Sequence, residues 1–220
     1  SKIVTESGQV VFTRQELETG RQVWQSFGGQ QIGSIWGHGA LMAPDWSAEW
    51  LHKEALAMLE ERAQAQYGSS YEALGDDDKA RLQTQLRPQL RANTYDPASD
   101  TIIISDERAR AIATVSAHYD SVFSDDPASA HLRETYALRK NPIPDPEHRR
   151  LMAGFFFWAA WATVTERPDS KISYTHNFPH DPVVGNTPTA SSFMWSMFSI
   201  LLMIAGIALL VWHYAAWHGK

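Results

Sequence analysis

FMWSMFSILLMIAGIALLVW, Phe193 to Trp212, runs for 20 residues without a charged side chain, and Ser196 and Ser199 are its only polar residues. An α-helix rises 1.5 Å per residue, so a helix of this length covers ~30 Å, the hydrocarbon thickness of a bilayer. Trp195 stands near one end, and Trp212, Tyr214 and Trp217 gather at the other, where amphipathic aromatics settle at membrane–water interfaces. The stretch therefore predicts a membrane helix over residues 191–217 and divides it from a water-exposed domain over residues 1–190.

A second apolar run, LMAGFFFWAAWATV (Leu151 to Val164), is shorter and bracketed by Arg149-Arg150 and Glu166-Arg167. A run of ~14 residues falls short of a span and reads as a buried core helix. It predicts a central helix over 147–166, around which the rest of the domain packs.

The remainder is hydrophilic. Mean hydropathy is −0.33 even with the span included, and the net charge is −6. That charge excludes a nucleic-acid binder, which needs clustered Lys and Arg, and Arg139-Lys140 and Arg149-Arg150 are too short to change the balance. The chain has no cysteine, which excludes disulfides, thiolate metal sites, thiol nucleophiles and covalent haem attachment through C-x-x-C-H. The first apolar run, Val10 to Phe12, is too short for a signal peptide, so either a segment upstream of Ser1 directs translocation or the chain is a fragment. Lys220 is the only basic residue beyond the span apart from histidines, and it gives little charge asymmetry from which to orient the helix.

Helix signals dominate the domain. Thr13 and Glu16 make a capping box that opens a helix through Gly20 and Trp24 to Gln25. The loop SFGGQQIGSIWGHGALMAPDW (Ser26 to Trp46) follows, with glycines at 28, 29, 33, 37 and 39. No strand precedes these glycines, so they are not a dinucleotide fingerprint; they imply tight turns and close backbone approach. Ser47 is expected to cap a helix with Leu51, Ala55, Met58, Leu59 and Arg62 on one face and charge on the other, ending near Gly68. Asp76 to Arg91 predicts a further amphipathic helix, strained or ended near Pro88. Thr101–Ile104 reads as a short strand, half of a hairpin with 93–95, and Ser105 caps a helix that ends by Phe123. Asn141 to Pro146 is a rigid linker, Ser173 to Thr189 is a polar, proline-rich approach to the membrane, and Pro168 to Thr189 can serve as a tether.

Chemical signatures are few. His176 and His180 have a spacing that suits a metal on a helix, but Pro179 and Pro182 argue against a helix there. Asp76-Asp77-Asp78 fits the acidic first turn of a helix better than a calcium loop. No G-x-S-x-G, P-loop or paired-carboxylate pattern occurs. A first helix with Gly20-x-x-x-Trp24, a long glycine-rich loop and a late aromatic helix (Phe157, Trp158, Trp161) resembles a class I cytochrome c domain. Without haem cysteines, it reads as one whose haem space is filled by side chains such as Phe27, Ile32, Ile35 and Trp36.

Three segments carry a closer resemblance: VWQSFGGQQIGSIWGHGALMAPDWSAEWLHKEAL (Val23 to Leu56), FFFWAAWATVTERP (Phe155 to Pro168) and YTHNFPHDPVVGNTPT (Tyr174 to Thr189). They are similar to the N-terminal part of the quinol-dependent nitric oxide reductases of the haem-copper oxidase superfamily, and the similarity extends over essentially the whole chain. The resemblance implies a mainly α, haem-free cytochrome c-like domain with a small β element, on the periplasmic side of a bacterial inner membrane. The span would be the enzyme's second membrane helix. It implies an enzyme that reduces nitric oxide to nitrous oxide with quinol electrons, using haem b, haem b3 and non-haem iron whose ligands lie on helices absent here. This segment would cap and stabilise that core and hold no catalytic residue. Its partners would be the bilayer and the enzyme's remaining membrane helices. His213, at the end of the span, reads as an interfacial anchor rather than a haem ligand.

By the same resemblance Trp36, His38 and Gly39 would lie at a haem-propionate edge, and the Gly39 carbonyl could reach a calcium there. Relatives that use cytochrome c carry a tyrosine where this chain has Leu41, and leucine offers no oxygen to a hard cation. The alternative reading is a stand-alone, membrane-anchored sensor or binding module on a degenerate cytochrome c fold. Ligand-bearing hydrophobic segments after Lys220 would favour the reductase, and a stop codon the anchored module.

Overall fold

The computed structural model describes residues 1–218, and Lys220 lies outside them. The chain forms two compact units, residues 1–187 and residues 188 onward.

The second unit is one helix, α7 (Ala190–His218). From Phe193 to Trp217 every residue is exposed. Of the helices among the described residues, it alone is long and apolar enough to cross a membrane, over Ala190–Trp217, and its 28 residues span ~42 Å. Ser196 and Ser199 cause no break, because each hydroxyl donates to the carbonyl four residues back, Ser192 and Trp195.

In the first unit the described helices are α1 (Arg14–Phe27), α2 (Trp46–Tyr67), α3 (Asp76–Arg91), α4 (Asp106–Phe123), the short α5 (Ala130–Thr135) and α6 (Pro146–Val164). α6 is the axis of the unit, packed against α1, α2 and α4 and buried along nearly all its length. Its start is well signalled: the Asp145 side chain accepts from the Glu147 N–H, and Pro146 takes the first helical position. Gly20 explains how closely α1 crosses it. A Cβ there would stand 2.0 Å from the Leu151 carbonyl oxygen and 2.6 Å from its carbon, so only glycine lets the backbones meet.

Aromatic rings fill the centre. Trp46 is 1% exposed; it stacks on Phe156 at 5.5 Å and meets Phe123, Tyr136 and Tyr119 at 5.5, 5.8 and 6.2 Å. These separations suit offset and edge-to-face ring pairs. Trp50 stacks in turn on Tyr119 at 5.4 Å. Phe27, Ile32 and Trp36, expected to fill this space, lie at its margin, and of that group only Ile35 is buried.

The structure departs from the sequence reading at several points. Asp45, not Ser47, caps α2, accepting from the Ala48 N–H at 2.9 Å. The face of α2 expected to be apolar also holds Glu54, beside Leu51 and Met58, 0% exposed and paired with buried Arg108 of α4 at 2.6 Å. The Arg108 guanidinium also lies over the Phe157 ring at 5.3 Å. α3 has the bounds read for it and ends three residues beyond Pro88, which sits in the last turn, where few further helical bonds depend on it, and whose carbonyl accepts the capping Ala92 N–H. The expected hairpin exists as β5 (Tyr95–Asp96) with β6 (Thr101–Ile104), but it belongs to a larger sheet. β1 (Lys2–Thr5) runs parallel to β6, with Ile3 opposite Ile102, and β2 (Val10–Phe12) pairs antiparallel to β1. Ile3, Phe12, Ile102 and Ile104 turn inward to the core.

Candidate functional site: the glycine hairpin and the segment behind it

The glycine-rich loop folds into a two-stranded hairpin of β3 (Ser34–Ile35) and β4 (His38–Gly39), with Trp36 and Gly37 at its turn. Both turn residues have positive φ, 54° and 77°, the combination a two-residue turn of the primed type needs. Trp36 bears the strain of that conformation because its ring is anchored. The indole N–H donates to the Ala159 carbonyl of α6 at 2.9 Å, and the ring lies 5.9 Å from Trp158.

Asp45 organises the inner side. One carboxylate oxygen accepts from Ser34 Oγ at 2.8 Å and the Gly37 N–H at 2.6 Å; the other accepts from Ala48 N–H and Ser47 Oγ. Ser47 Oγ accepts from the Trp36 N–H at 3.1 Å. One carboxylate thus caps α2 and fixes the turn. Trp46 ties down the loop that leads into β3 by donating to the Ile32 carbonyl at 2.8 Å. Gly39 has φ 151°, and a Cβ there would stand 2.2 Å from the Gly33 oxygen.

The outer side differs. Gly37, His38 and Gly39 are exposed, as are Leu41 (96%) and Met42 (66%). His38 is occupied only locally, its Nδ1 lying 2.9 Å from the Trp36 carbonyl. Trp36, His38 and Gly39 are therefore brought together on one hairpin. Trp36 is turned inward as the anchor, while His38 and Gly39 face out beside Leu41. The Leu41 side chain packs on almost nothing.

Segment 171–187 closes over the turn. A Cβ on Gly37 would meet the Phe178 ring at 2.9 Å, so the ring lies directly on the glycine. This segment is not a loose tether. Ser173, Asn186 and Val184 are fully buried, and Asp181 and Asn186 bridge each other through their backbones. His52 of α2 lies 3.1 Å from the Asp181 carboxylate. His176 is exposed with φ 57°, and His180 directs Nδ1 to the Asn186 carbonyl at 3.0 Å. Among the described residues, no group of three or more His, Cys, Asp or Glu is placed to hold a metal. Asp76, Asp77 and Asp78 occupy the first turn of α3, where its dipole favours them.

A groove of about 690 Å³ lies elsewhere, between β1, β2 and α4. Its arginines are already engaged, Arg110 with Glu61 and Arg150 with Glu16 and Glu147. In the aromatic centre, Tyr119 and Tyr136 both donate to the Glu49 carboxylate, at 2.9 and 2.8 Å. Burial first, then the adjacent carboxylate, pushes both phenols up from their ordinary value, so neither ionises near neutral pH.

Sequence reasoning missed Asp45, Phe178, Arg91 and Asn186. For Asp45 a signal existed, since A-P-D-W places an aspartate just before a helix. The others act through contacts that no local pattern records.

Set against known families, residues 1–180 match the model described as the NorB cytochrome c-like domain of nitric oxide reductase. No curated protein matches the chain.

Proposed function

The chain belongs to the family of the cytochrome c-like domain of the nitric oxide reductase protein NorB, and from that premise we propose that it forms the N-terminal part of a quinol-dependent nitric oxide reductase. In this reading residues 1–190 are a haem-free, periplasmic domain and residues 191–217 a helix in the bacterial inner membrane, packed with the enzyme's other helices.

The haem-free reading rests on side chains. A covalently attached haem does not fit this chain, which has no cysteine and whose centre is filled by Trp46, Trp50, Tyr119, Phe123 and Phe156. Without a haem to receive electrons from a soluble cytochrome, a donor arriving through the bilayer is the consistent choice, hence quinol.

The domain's part is to cap and seat the core. Haem b, haem b3 and non-haem iron, held by helices outside this segment, supply the chemistry that joins two nitric oxide molecules into nitrous oxide. The observation that carries the capping role is the two-sided hairpin. Its inner side is fixed by Asp45, Ser47 and Ala159, while its outer side presents His38, Gly39, Leu41 and Met42 unpacked. Rigid backing behind an exposed face suits a surface made to meet another part of the enzyme. Gly39 can offer a calcium only a backbone carbonyl, since Leu41 carries no oxygen and the Asp45 carboxylate is engaged inward, so the remaining ligands must come from elsewhere.

Two variants of the intact enzyme test this. Gly39→Val drives a branched side chain into the Gly33 carbonyl and should cut nitric oxide turnover per haem b at least tenfold. Leu41→Ala should leave the melting temperature unchanged and lower turnover less. Wild-type rates from both variants would remove the seating role, and a requirement for soluble cytochrome c in place of quinol would overturn the assignment of donor.

A further inference from the structure

Segment 171–187 is held mainly by polar bonds. Its apolar anchors are buried Val184 and Pro179, half-buried Ile172 and Val183, and the Tyr174 ring stacked on Trp161 at 5.7 Å. Arg91, in the last turn of α3, makes more hydrogen bonds to the segment than any other side chain outside it. Its Nε donates to Glu166 Oε1 at 3.0 Å, Nη1 to Asn186 Oδ1 at 3.2 Å and the Gly185 carbonyl at 3.4 Å, and Nη2 to the Lys171 carbonyl at 3.0 Å and Asn177 Oδ1 at 3.2 Å. One turn earlier Arg87 donates to the Val183 and Pro182 carbonyls at 3.0 and 2.7 Å.

Asn186 is the counterpart. It is fully buried, and its Nδ2 donates to the Thr163 carbonyl at the end of α6 and to the Pro179 carbonyl, each at 2.9 Å. Its backbone N–H donates to the Asp181 carbonyl at 2.8 Å and its carbonyl accepts the Asp181 N–H at 2.9 Å. Every polar atom of the residue is used. The Pro179 that it holds follows directly on Phe178, whose ring covers Gly37. Only three residues separate Asn186 from the start of α7.

We infer that Arg91 and Asn186 are positioning residues: together they lock the segment that joins α6 to the membrane helix, and so hold Phe178 against the Gly37 turn of the hairpin. The role in turnover rests on the functional reading above; the lock itself does not. The chemistry demands these residue types. A planar guanidinium directs donors to separate acceptors at once, whereas a lysine ammonium has three donors on one point and cannot reach both sides. A side-chain amide has two N–H donors and an acceptor oxygen at its tip, so one residue can join Thr163 and Pro179 to Arg91. A carboxylate only accepts, and a hydroxyl has a single proton to donate.

The test uses Arg91→Lys and Asn186→Ala. Hydrogen exchange is read on the 220-residue chain in detergent, and turnover and haem content on the intact enzyme. Both variants should raise exchange at the Asn177, Asp181 and Asn186 amides at least tenfold while α2 and α6 keep their protection. Turnover per haem should fall at least fivefold with little change in KM for nitric oxide, and because the rate is normalised to haem, simple loss of folded, haem-loaded enzyme would not give that fall. Unchanged protection in 173–187 overturns the lock. An open segment with wild-type turnover per haem overturns the positioning role. If Asn186→Ala also unprotects α6, Arg91→Lys, which keeps the charge beside Glu166, decides. A wild-type enzyme without nitric oxide turnover sinks the functional reading and leaves the exchange result standing.

Discussion

α6 and α7 are both rich in Phe, Trp, Met and Ala, and both carry long runs free of charge, yet their surroundings are opposite. From Leu151 to Val164 every residue of α6 is buried except the half-buried Trp158, whereas every residue of α7 from Phe193 to Trp217 is exposed. Their glycines make the contrast concrete. A Cβ on Gly154 would meet the Phe12 ring at 2.7 Å, while one on Gly206 meets nothing within 4 Å. A protein interior is close-packed and constrains shape at each position. Lipid asks only for length, low polarity and internally satisfied backbone bonds.

The sharpest way to break the comparison is removal. Deleting residues 188–220 should release a folded, helical, soluble domain, because the core and segment 171–187 belong to the unit that ends at Thr187. Sedimentation with liposomes checks this. Persistent membrane binding would mean that part of α6 meets lipid after all.

Charge insertion comes next. Phe156→Asp places a carboxylate beside Trp46 and Tyr119 and should cost about 4 kcal/mol or more, near the limit of what a domain survives. Ile204→Asp, near the middle of α7, should cost about 2.5–3.5 kcal/mol of membrane insertion and leave the domain's melting temperature unchanged. Thermal melts by circular dichroism, set beside carbonate extraction of membranes, separate the two. Equal losses of domain stability would erase the distinction.

Glycine replacement is milder. Gly20→Ala gains helix propensity but forces apart the crossing at Leu151, for a net loss of about 2 kcal/mol. Gly206→Ala should leave the domain's denaturant midpoint where it is.

The smallest effect is a pH dependence confined to the domain. Burial first, then the nearby Lys53 charge, holds the His118 imidazole below its usual range, with Glu49 partly opposing. A lowered folded-state pKa means that the unfolded chain binds the proton more readily. The stabilising contribution is therefore complete above about pH 6.5 and is lost as pH falls toward the depressed folded value. Melting curves from pH 8 to pH 5 should show a shallower decline for His118→Gln than for wild type. Parallel curves would remove His118 from the account.

Much of the fold was legible because its signals are local. The Thr13–Glu16 capping box forms as read, with the Glu16 carboxylate accepting the Thr13 N–H at 2.7 Å. Ser105 caps α4, and Gly68 ends α2 in the left-handed conformation. The hairpin glycines implied close approach, and the backbone oxygens beside Gly33 and Gly39 supply the reason. The Ser47 cap failed because two polar residues compete at that helix start, and only the fold decides that Asp45 faces the N–H groups while Ser47 turns to Trp36. Leu41 is apolar yet 96% exposed, because hydrophobicity alone does not place a loop side chain inside.

By itself the sequence determined that one helix is long and apolar enough to span a bilayer, that another is apolar but too short, and that no cysteine can bind a haem. These follow from length and composition, which no later folding step can change. Only the tertiary structure decided that β1 pairs with β6, that Glu54 meets Arg108 in the core, and that Arg91 and Asn186 lock the segment before α7. Each of these joins residues far apart along the chain, where stability depends on geometry that packing alone creates and no short-range pattern encodes.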